Sequence, residues 1–358
     1  MTFLIAAAGT GGHVYPGLAV GEALVEGGVS PREILFVGGD RLESKVYPDR
    51  GFAFVRVDLR GLSRSLSMKN LTLPLVMRKA ARRIGDVIGE RSVKVALGMG
   101  GYVTVPTAMA ARRERIVLMV SEQNAGAGLA NRLAGRLAER QFIAFPEVRG
   151  LPRGEWVGNP VRKPFSEFNR TRLRAAAIDR YGLDPTIPVI GVFGGSLGAG
   201  AINAAVENLV SGWTGSPVQV LHLTGDRDFD RLNGLTGGGV QTWVRVRWEP
   251  EMEYFYAVSD LVVARSGGGV AELTATGTPS VLIPGTFGSS GHQLANARFL
   301  EESGAAIVID EAEIESLPAV VDRLARDRKR LGDMGSSAVS ISKPDAASSI
   351  AAAMIEAA

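Results

Sequence analysis

After Thr2 the chain begins with an apolar run, Phe3-Leu4-Ile5-Ala6-Ala7-Ala8, which passes straight into Gly9-Thr10-Gly11-Gly12-His13-Val14-Tyr15-Pro16. An apolar run without alternation suits a strand buried on both faces, as in a parallel sheet. The glycines make a turn without side-chain bulk, and Pro16 suits the first turn of the helix that follows, where its missing N–H is not needed. Such a helix start aims backbone amides and the positive end of the helix dipole at an anion. His13 is the titratable side chain in that loop. The pattern returns at 189–193, a second strand, followed by Gly194-Gly195-Ser196-Leu197-Gly198-Ala199-Gly200 and a helix over 201–210. Two such units far apart in one chain predict two domains of similar construction, with a ligand cleft between them.

A chain of 358 residues, 46% of them hydrophobic, can bury two cores of that kind. Its net charge of +3 gives no general case for nucleic-acid binding. The absence of cysteine excludes disulfides, thiolate metal sites and a Cys nucleophile, and His13, His222 and His292 lie too far apart to form a local metal motif. The apolar start is too short for a signal-peptide core, and no run reaches the roughly 18 apolar residues of a spanning helix. The expectation is a soluble cytoplasmic protein.

Taken in order, strand and helix signals alternate. A helix over 18–26 stops at Gly27-Gly28, and a strand over 34–37 ends at Gly38-Gly39-Asp40. An acid there would suit the ribose of a dinucleotide, but the first loop lacks the G-x-G-x-x-G spacing. Strands over 93–97 and 116–120 run into Gly98-Met99-Gly100-Gly101-Tyr102 and Ser121-Glu122-Gln123-Asn124. Loops at the carboxyl ends of parallel strands gather along one sheet edge. The plain alternatives are tight packing for the glycines and a helix cap for Asn124. Residues 157–165 read as a linker.

In the second half a strand over 261–264 enters Arg265-Ser266-Gly267-Gly268-Gly269-Val270-Ala271-Glu272. The loop amides suit a diphosphate and the Glu272 carboxylate suits a cis-diol, two groups that a nucleotide sugar presents together. Taken alone, Glu272 serves equally as a first-turn carboxylate complementing the dipole. Further on, His292-Gln293-Leu294-Ala295-Asn296-Ala297 opens a helix whose polar side chains suit sugar hydroxyls or solvent. Residues 60–83 differ from the rest, with Leu, Met and Val interleaved among seven basic residues and no acidic one. Such a segment either lies on an anionic membrane surface or is an amphipathic helix facing the core, and both show the same period.

These loops, together with Gly158-Asn159-Pro160-Val161-Arg162, occur in an order that resembles the lipid-linked N-acetylglucosaminyltransferases of peptidoglycan synthesis, glycosyltransferase family 28. The resemblance spans nearly the whole chain. It implies an α/β protein of the GT-B fold, two Rossmann-like domains with parallel sheets facing across a cleft, and no required metal or cofactor. Residues 1–162 would bind acceptor and membrane, with the helical tail 343–358 packing back on them, and residues 163–342 would bind UDP-GlcNAc. The implied reaction is inverting transfer of GlcNAc from UDP-GlcNAc to the MurNAc 4-hydroxyl of lipid I, at the cytoplasmic face of the plasma membrane, by a peripheral protein that can also meet cell-wall synthesis or division proteins.

By position, the resemblance puts donor contacts at Thr10, Gly11, Gly12, Asn124, Arg162, Ser196, Glu272 and Gln293, with Glu272 on the ribose and Arg162 or Ser196 at the leaving diphosphate, and further substrate contacts at Tyr102, Gly268, Gly269, Val270 and Asn296, with backbone contacts near Glu249 and Met252. His13 is the candidate base or acceptor-diphosphate contact. The echoes of the first loop shift the nucleotide mainly to the second domain and leave His13 to the acceptor and the reacting centre. The membrane-docking region corresponds to Lys69, Leu71, Leu73, Leu75, Val76, Met77, Arg78, Lys79, Arg82 and Arg83. The chain departs from the family pattern at Ser121, where His is expected, at Leu197, where Gln is usual, and in a 265–272 loop one residue short. Two alternatives stay open. One is another GT-B UDP-sugar enzyme, a glycolipid glycosyltransferase or a UDP-GlcNAc epimerase. The other is a binding module that has lost catalysis.

Overall fold

The computed structural model describes residues 2–59, 73–195, 198–285 and 291–358. The chain divides into two compact units, Met1–Arg162 with Lys343–Ala358, and Lys163–Ser342.

The first unit is built on seven strands, β1 (Thr2–Ala6), β2 (Ile34–Gly38), β3 (Ala53–Arg56), β4 (Val93–Gly98), β5 (Val117–Glu122), β6 (Arg140–Ile143) and β7 (Gly154–Trp156). They are ordered β3-β2-β1-β4-β5-β6-β7, and neighbouring strands are parallel. The opening apolar run supplies β1, bonded on both sides, and Phe3 to Ala6 are all buried. The helix after it differs from expectation. It runs Gly11–Glu26, so His13 lies in its first turn and Pro16 is its sixth residue. Pro16 cannot donate to the Gly12 carbonyl one turn back, a loss tolerated this close to a helix start. The helix buries Val14, Leu18, Val20 and Leu24, and a helix from the far end of the sequence, Ala346–Glu356, packs beside it. Ile350, Ala351, Ala353 and Met354 of that helix join the same core as Phe3, Ile5, Leu18 and Phe36.

The second unit holds β8 (Val189–Phe193), β9 (Gln219–Leu223), β10 (Thr242–Val246), β11 (Leu261–Ala264), β12 (Ser280–Leu282) and β13 (Ala306–Val308), ordered β10-β9-β8-β11-β12-β13. Numbered within the unit, that order is 3-2-1-4-5-6, the Rossmann arrangement, and the first sheet repeats it with one strand added. The helix Arg170–Tyr181 is fixed by guanidinium groups that cap a neighbouring helix end. Arg170 donates to the Ala257 and Ser259 carbonyls, and Arg174 donates to those of Ala257 and Val258, just where the helix Met252–Val258 leaves carbonyls without helical donors.

Four strands carry no apolar run long enough to stand out in the sequence, namely β3, β6, β7 and β13. Three of these are edge strands of three or four residues with partly exposed side chains.

Beneath the second sheet's first helix, Gly200–Gly212, the His222 side chain is fully buried. Its Nε2 lies 3.0 Å from Asn203 Oδ1 and donates to it, while the Asn203 amide donates to the Thr224 carbonyl and to Asp228. Burial, reinforced by the Arg245 charge, pushes the His222 pKa down to about 3. Above about pH 6.5 folded and unfolded chains both hold this imidazole neutral. Below it the unfolded chain takes up a proton that the folded one refuses, so stability present at neutral pH is lost as the pH falls toward 3. Followed by tryptophan fluorescence, the denaturation midpoint of this unit should drop between pH 7 and pH 4.5, and should drop less in His222→Gln. Equal drops would remove His222 as the cause.

Candidate functional site

Gly9 has a φ of +107°, after which Thr10 is extended and accepts at its carbonyl from the amides of His13 and Val14. The amides of Gly11 and Gly12, in the first turn, have no helical acceptor and open outward. His13 Nδ1 lies 3.4 Å from Thr10 Oγ1. The imidazole lies over the loop after β4, where a Cβ at Gly100 (φ +95°) would stand 2.9 Å from His13 Nε2 and 3.4 Å from Asn131 Nδ2. Only glycine lets these two loops touch there. Thr104 Oγ1 holds the turn by accepting from the Gly100 amide and donating to the Gly100 carbonyl.

A residue that sequence reasoning missed ties this edge together. Glu43 is fully buried, and its carboxylate accepts from the Gly9 amide at 3.3 Å, the Gly39 amide at 3.0 Å and the Tyr102 hydroxyl at 3.1 Å. It therefore joins the ends of β1, β2 and β4. Burial first, and then the Glu43 charge, push the Tyr102 phenol far above its ordinary value. Tyr102, expected at the substrate, has its hydroxyl committed to Glu43 and offers its ring instead, 3.8 Å from where a Cβ at Gly9 would stand. At the end of β5, Glu122 braces the chain in a comparable way. Its buried carboxylate accepts from the Asn124 amide and side chain, the Gly128 amide and Asn131 Nδ2. Ser121, the departure from the family pattern, is buried beneath Gln123 and accepts from its amide. At the end of the unit the Arg162 guanidinium stacks over the Tyr15 ring, 5.8 Å from its centroid.

In the second unit the loop after β11 is laced to the helix His292–Glu302. Ser266 donates to the Gln293 carbonyl, Gln293 Oε1 accepts from the Gly285 amide, and Asn296 donates to the Ser266 carbonyl. Asn296, expected at a sugar hydroxyl, is fully buried and braces this loop from below. The side chain of Val270 is likewise core, which leaves only its backbone for a ligand. Gly268 caps the helix Gly269–Ala275, and Glu272 stands in its first turn, half-buried, accepting from the Tyr256 hydroxyl at 2.8 Å. The Glu249 carboxylate is buried and taken by Arg180, the Tyr181 hydroxyl and the Glu251 amide. What the Glu249–Met252 stretch can offer a ligand is therefore mainly backbone. Ser196 and Leu197 lie outside the described residues. Among the described residues no group of three or more His, Asp or Glu side chains is placed to hold a metal ion.

The basic segment resolves into two faces. The helix Leu73–Glu90 buries Ala80, Ala81, Ile84, Val87 and Ile88, and packs against the helix Thr104–Glu114. Its other face exposes Leu75, 70% accessible, with Arg78, Lys79, Arg82 and Arg83, while Val76 and Met77 are half-buried. Lys69, Leu71 and the side chain of Leu73 lie outside the described residues. Among the described residues no helix is long and apolar enough to cross a membrane.

Residues 3–143 match the glycosyltransferase family 28 N-terminal domain, and residues 189–350 match the C-terminal domain of the same family. A Mycobacterium protein (strain JLS) is 37% identical over 98% of this chain and 94% of its own length. It is named UDP-N-acetylglucosamine--N-acetylmuramyl-(pentapeptide) pyrophosphoryl-undecaprenol N-acetylglucosamine transferase. A Halorhodospira halophila protein of the same name is 37% identical over 98% of this chain and 96% of its own. Among solved structures, Acinetobacter baumannii MurG aligns with a TM-score of 0.79 at 24% identity, covering 99% of each chain.

The Glu43 clamp makes a prediction that needs no substrate. Glu43→Gln replaces one acceptor oxygen by a donor and leaves a buried amide or hydroxyl unmatched, a loss of about 1–3 kcal/mol. Chemical denaturation should show that loss in the first unit, and a larger one for Glu43→Ala. A midpoint unchanged by both would contradict the clamp.

Proposed function

The chain belongs to glycosyltransferase family 28, and from that premise we propose that it transfers GlcNAc from UDP-GlcNAc to the 4-hydroxyl of the MurNAc unit of undecaprenyl-diphosphoryl-MurNAc-pentapeptide, releasing UDP. Its kinship along nearly the whole length to transferases of that name carries the reading. The alternatives of a UDP-GlcNAc epimerase or an inactive binding module have no comparable support.

In an inverting displacement the acceptor oxygen attacks the anomeric carbon as it loses its proton, while the bond to the UDP oxygen breaks and negative charge grows on the diphosphate. Such a step needs a base near the hydroxyl and fixed positive or donor groups at the leaving diphosphate. We assign the acceptor to the first unit, Met1–Arg162 with Lys343–Ala358. There His13 stands beside the outward Gly11 and Gly12 amides and serves as the base or as a contact to the acceptor diphosphate. Thr10, Asn124 and Arg162 of the same unit are assigned as contacts to the donor, Arg162 to its departing diphosphate. The donor belongs mainly to the second unit, Lys163–Ser342. Glu272, oriented by Tyr256, accepts from the ribose hydroxyls, the backbone of Gly268, Gly269 and Val270 meets the diphosphate, and Gln293 borders the same loop. Ser196 belongs to the donor side by its place in the glycine repeat.

Leu75 and the cations around it suit a peripheral contact with an anionic membrane surface, where the acceptor resides.

A coupled UDP-release assay tests the reaction. Release should require a lipid I analogue and favour UDP-GlcNAc over UDP-Glc and UDP-GalNAc. Glu272→Ala should raise the donor KM about 10- to 100-fold, the worth of a charge-assisted hydrogen bond. His13→Ala should lower kcat about 100-fold or more if His13 is the base. UDP release indifferent to acceptor, or an epimerised product, would overturn the assignment. For the membrane contact, Leu75→Glu combined with Arg78→Glu should reduce co-sedimentation with phosphatidylglycerol vesicles without changing the thermal midpoint. Undiminished co-sedimentation would remove this face from the contact.

A further inference from the structure

A second basic feature lies in the first unit, at the amino-terminal ends of β6 and β7 and so across the sheet from the glycine loops. A cavity of about 550 Å³ is lined there by Arg132, Arg136 and Arg153 together with Gln141, Gly135 and Gly150. Among the described residues none of the three arginines forms an ion pair with a carboxylate. Arg153 is held in place, donating to the Gly135 carbonyl at 3.1 Å and the Ala138 carbonyl at 2.9 Å. The Arg132 stem crosses Gly150 so closely that a Cβ there would stand 2.8 Å from its Cγ. Gln141 is 3% exposed and donates through Nε2 to the Gly135 carbonyl at 2.8 Å, which fixes its amide orientation. Its Oε1 is buried and has no hydrogen-bond partner.

Three guanidinium groups without carboxylate partners around one cavity, over a floor fixed by the buried Gln141 amide, are complementary to an oxyanion. We propose that this cavity binds a phosphate ester, the chemistry shared by soluble polyol phosphates and by the phosphoglycerol headgroup of a lipid. The site uses none of the residues assigned to transfer, and it does not depend on that assignment.

The probes are sn-glycerol 3-phosphate and, separately, vesicles of phosphatidylglycerol or phosphatidylcholine. Both are applied to the full chain, with UDP at saturation to occupy the donor loops. Arg132→Gln and Arg136→Gln, single and double, are compared with the parent, since both side chains are exposed and unpaired and should leave the thermal midpoint unchanged. Calorimetry should show glycerol 3-phosphate binding, weakened about tenfold by each substitution, with glycerol itself inert. If the source is a headgroup, the same substitutions should instead lower retention on phosphatidylglycerol vesicles, with phosphatidylcholine indifferent. Either arginine-dependent result supports the cavity. Binding of both probes that is absent, or unaltered in the double variant, overturns it. UDP that failed to bind at all would count against the donor assignment and leave an arginine-dependent result standing.

Discussion

In a sheet whose strands all run one way, each connection must return to the starting edge before the next strand begins, so all the carboxyl ends arrive together on the other edge. At that edge the backbone leaves its ladder and its amides need new acceptors. The first unit meets the need with buried carboxylates. Glu43 takes the amides where β1 and β2 end, and Glu122 takes those that follow β5. Each buried carboxylate has several donors, so its oxygens are satisfied away from water. The second unit meets the same need partly with neutral groups, Asn203 and His222 under one turn and Ser266, Gln293 and Asn296 under another, and partly with the buried Glu249 carboxylate, which takes the Glu251 amide after β10.

The central strands are legible in the sequence because burial on both faces forces long apolar runs, as in β1, β2, β4, β8 and β11. The edge strands β3, β7 and β13 are not, because a short strand with one covered side has little pattern to show. The start of the first helix is hard to place for a related reason. Pro16 marks a helix start by its own chemistry, but Gly11 and Gly12 let the chain turn helical one turn sooner.

At the site the glycine loops and Glu272 can be read locally, since each sits beside the strand or helix that positions it. Their supports cannot. Glu43 bonds Gly9 and Tyr102 from far away in sequence, and in Asp40-Arg41-Leu42-Glu43 it reads as a solvated acid. Asn296 stands among polar side chains at a helix start and so reads as available to a ligand, whereas its partner, the Ser266 carbonyl, lies a whole strand and loop earlier. Periodicity reports which side of an element is covered. It does not report which polar atom meets which.

The helix Ala346–Glu356 completes a core begun by the first residues of the chain, with the whole second unit encoded in between. On a ribosome the second unit can therefore finish folding while the first still lacks one wall, with the apolar face of Gly11–Glu26 uncovered until residues beyond 342 emerge. The usual order of domain maturation is reversed, and the half encoded earlier is the one whose apolar helix face waits longer for its cover.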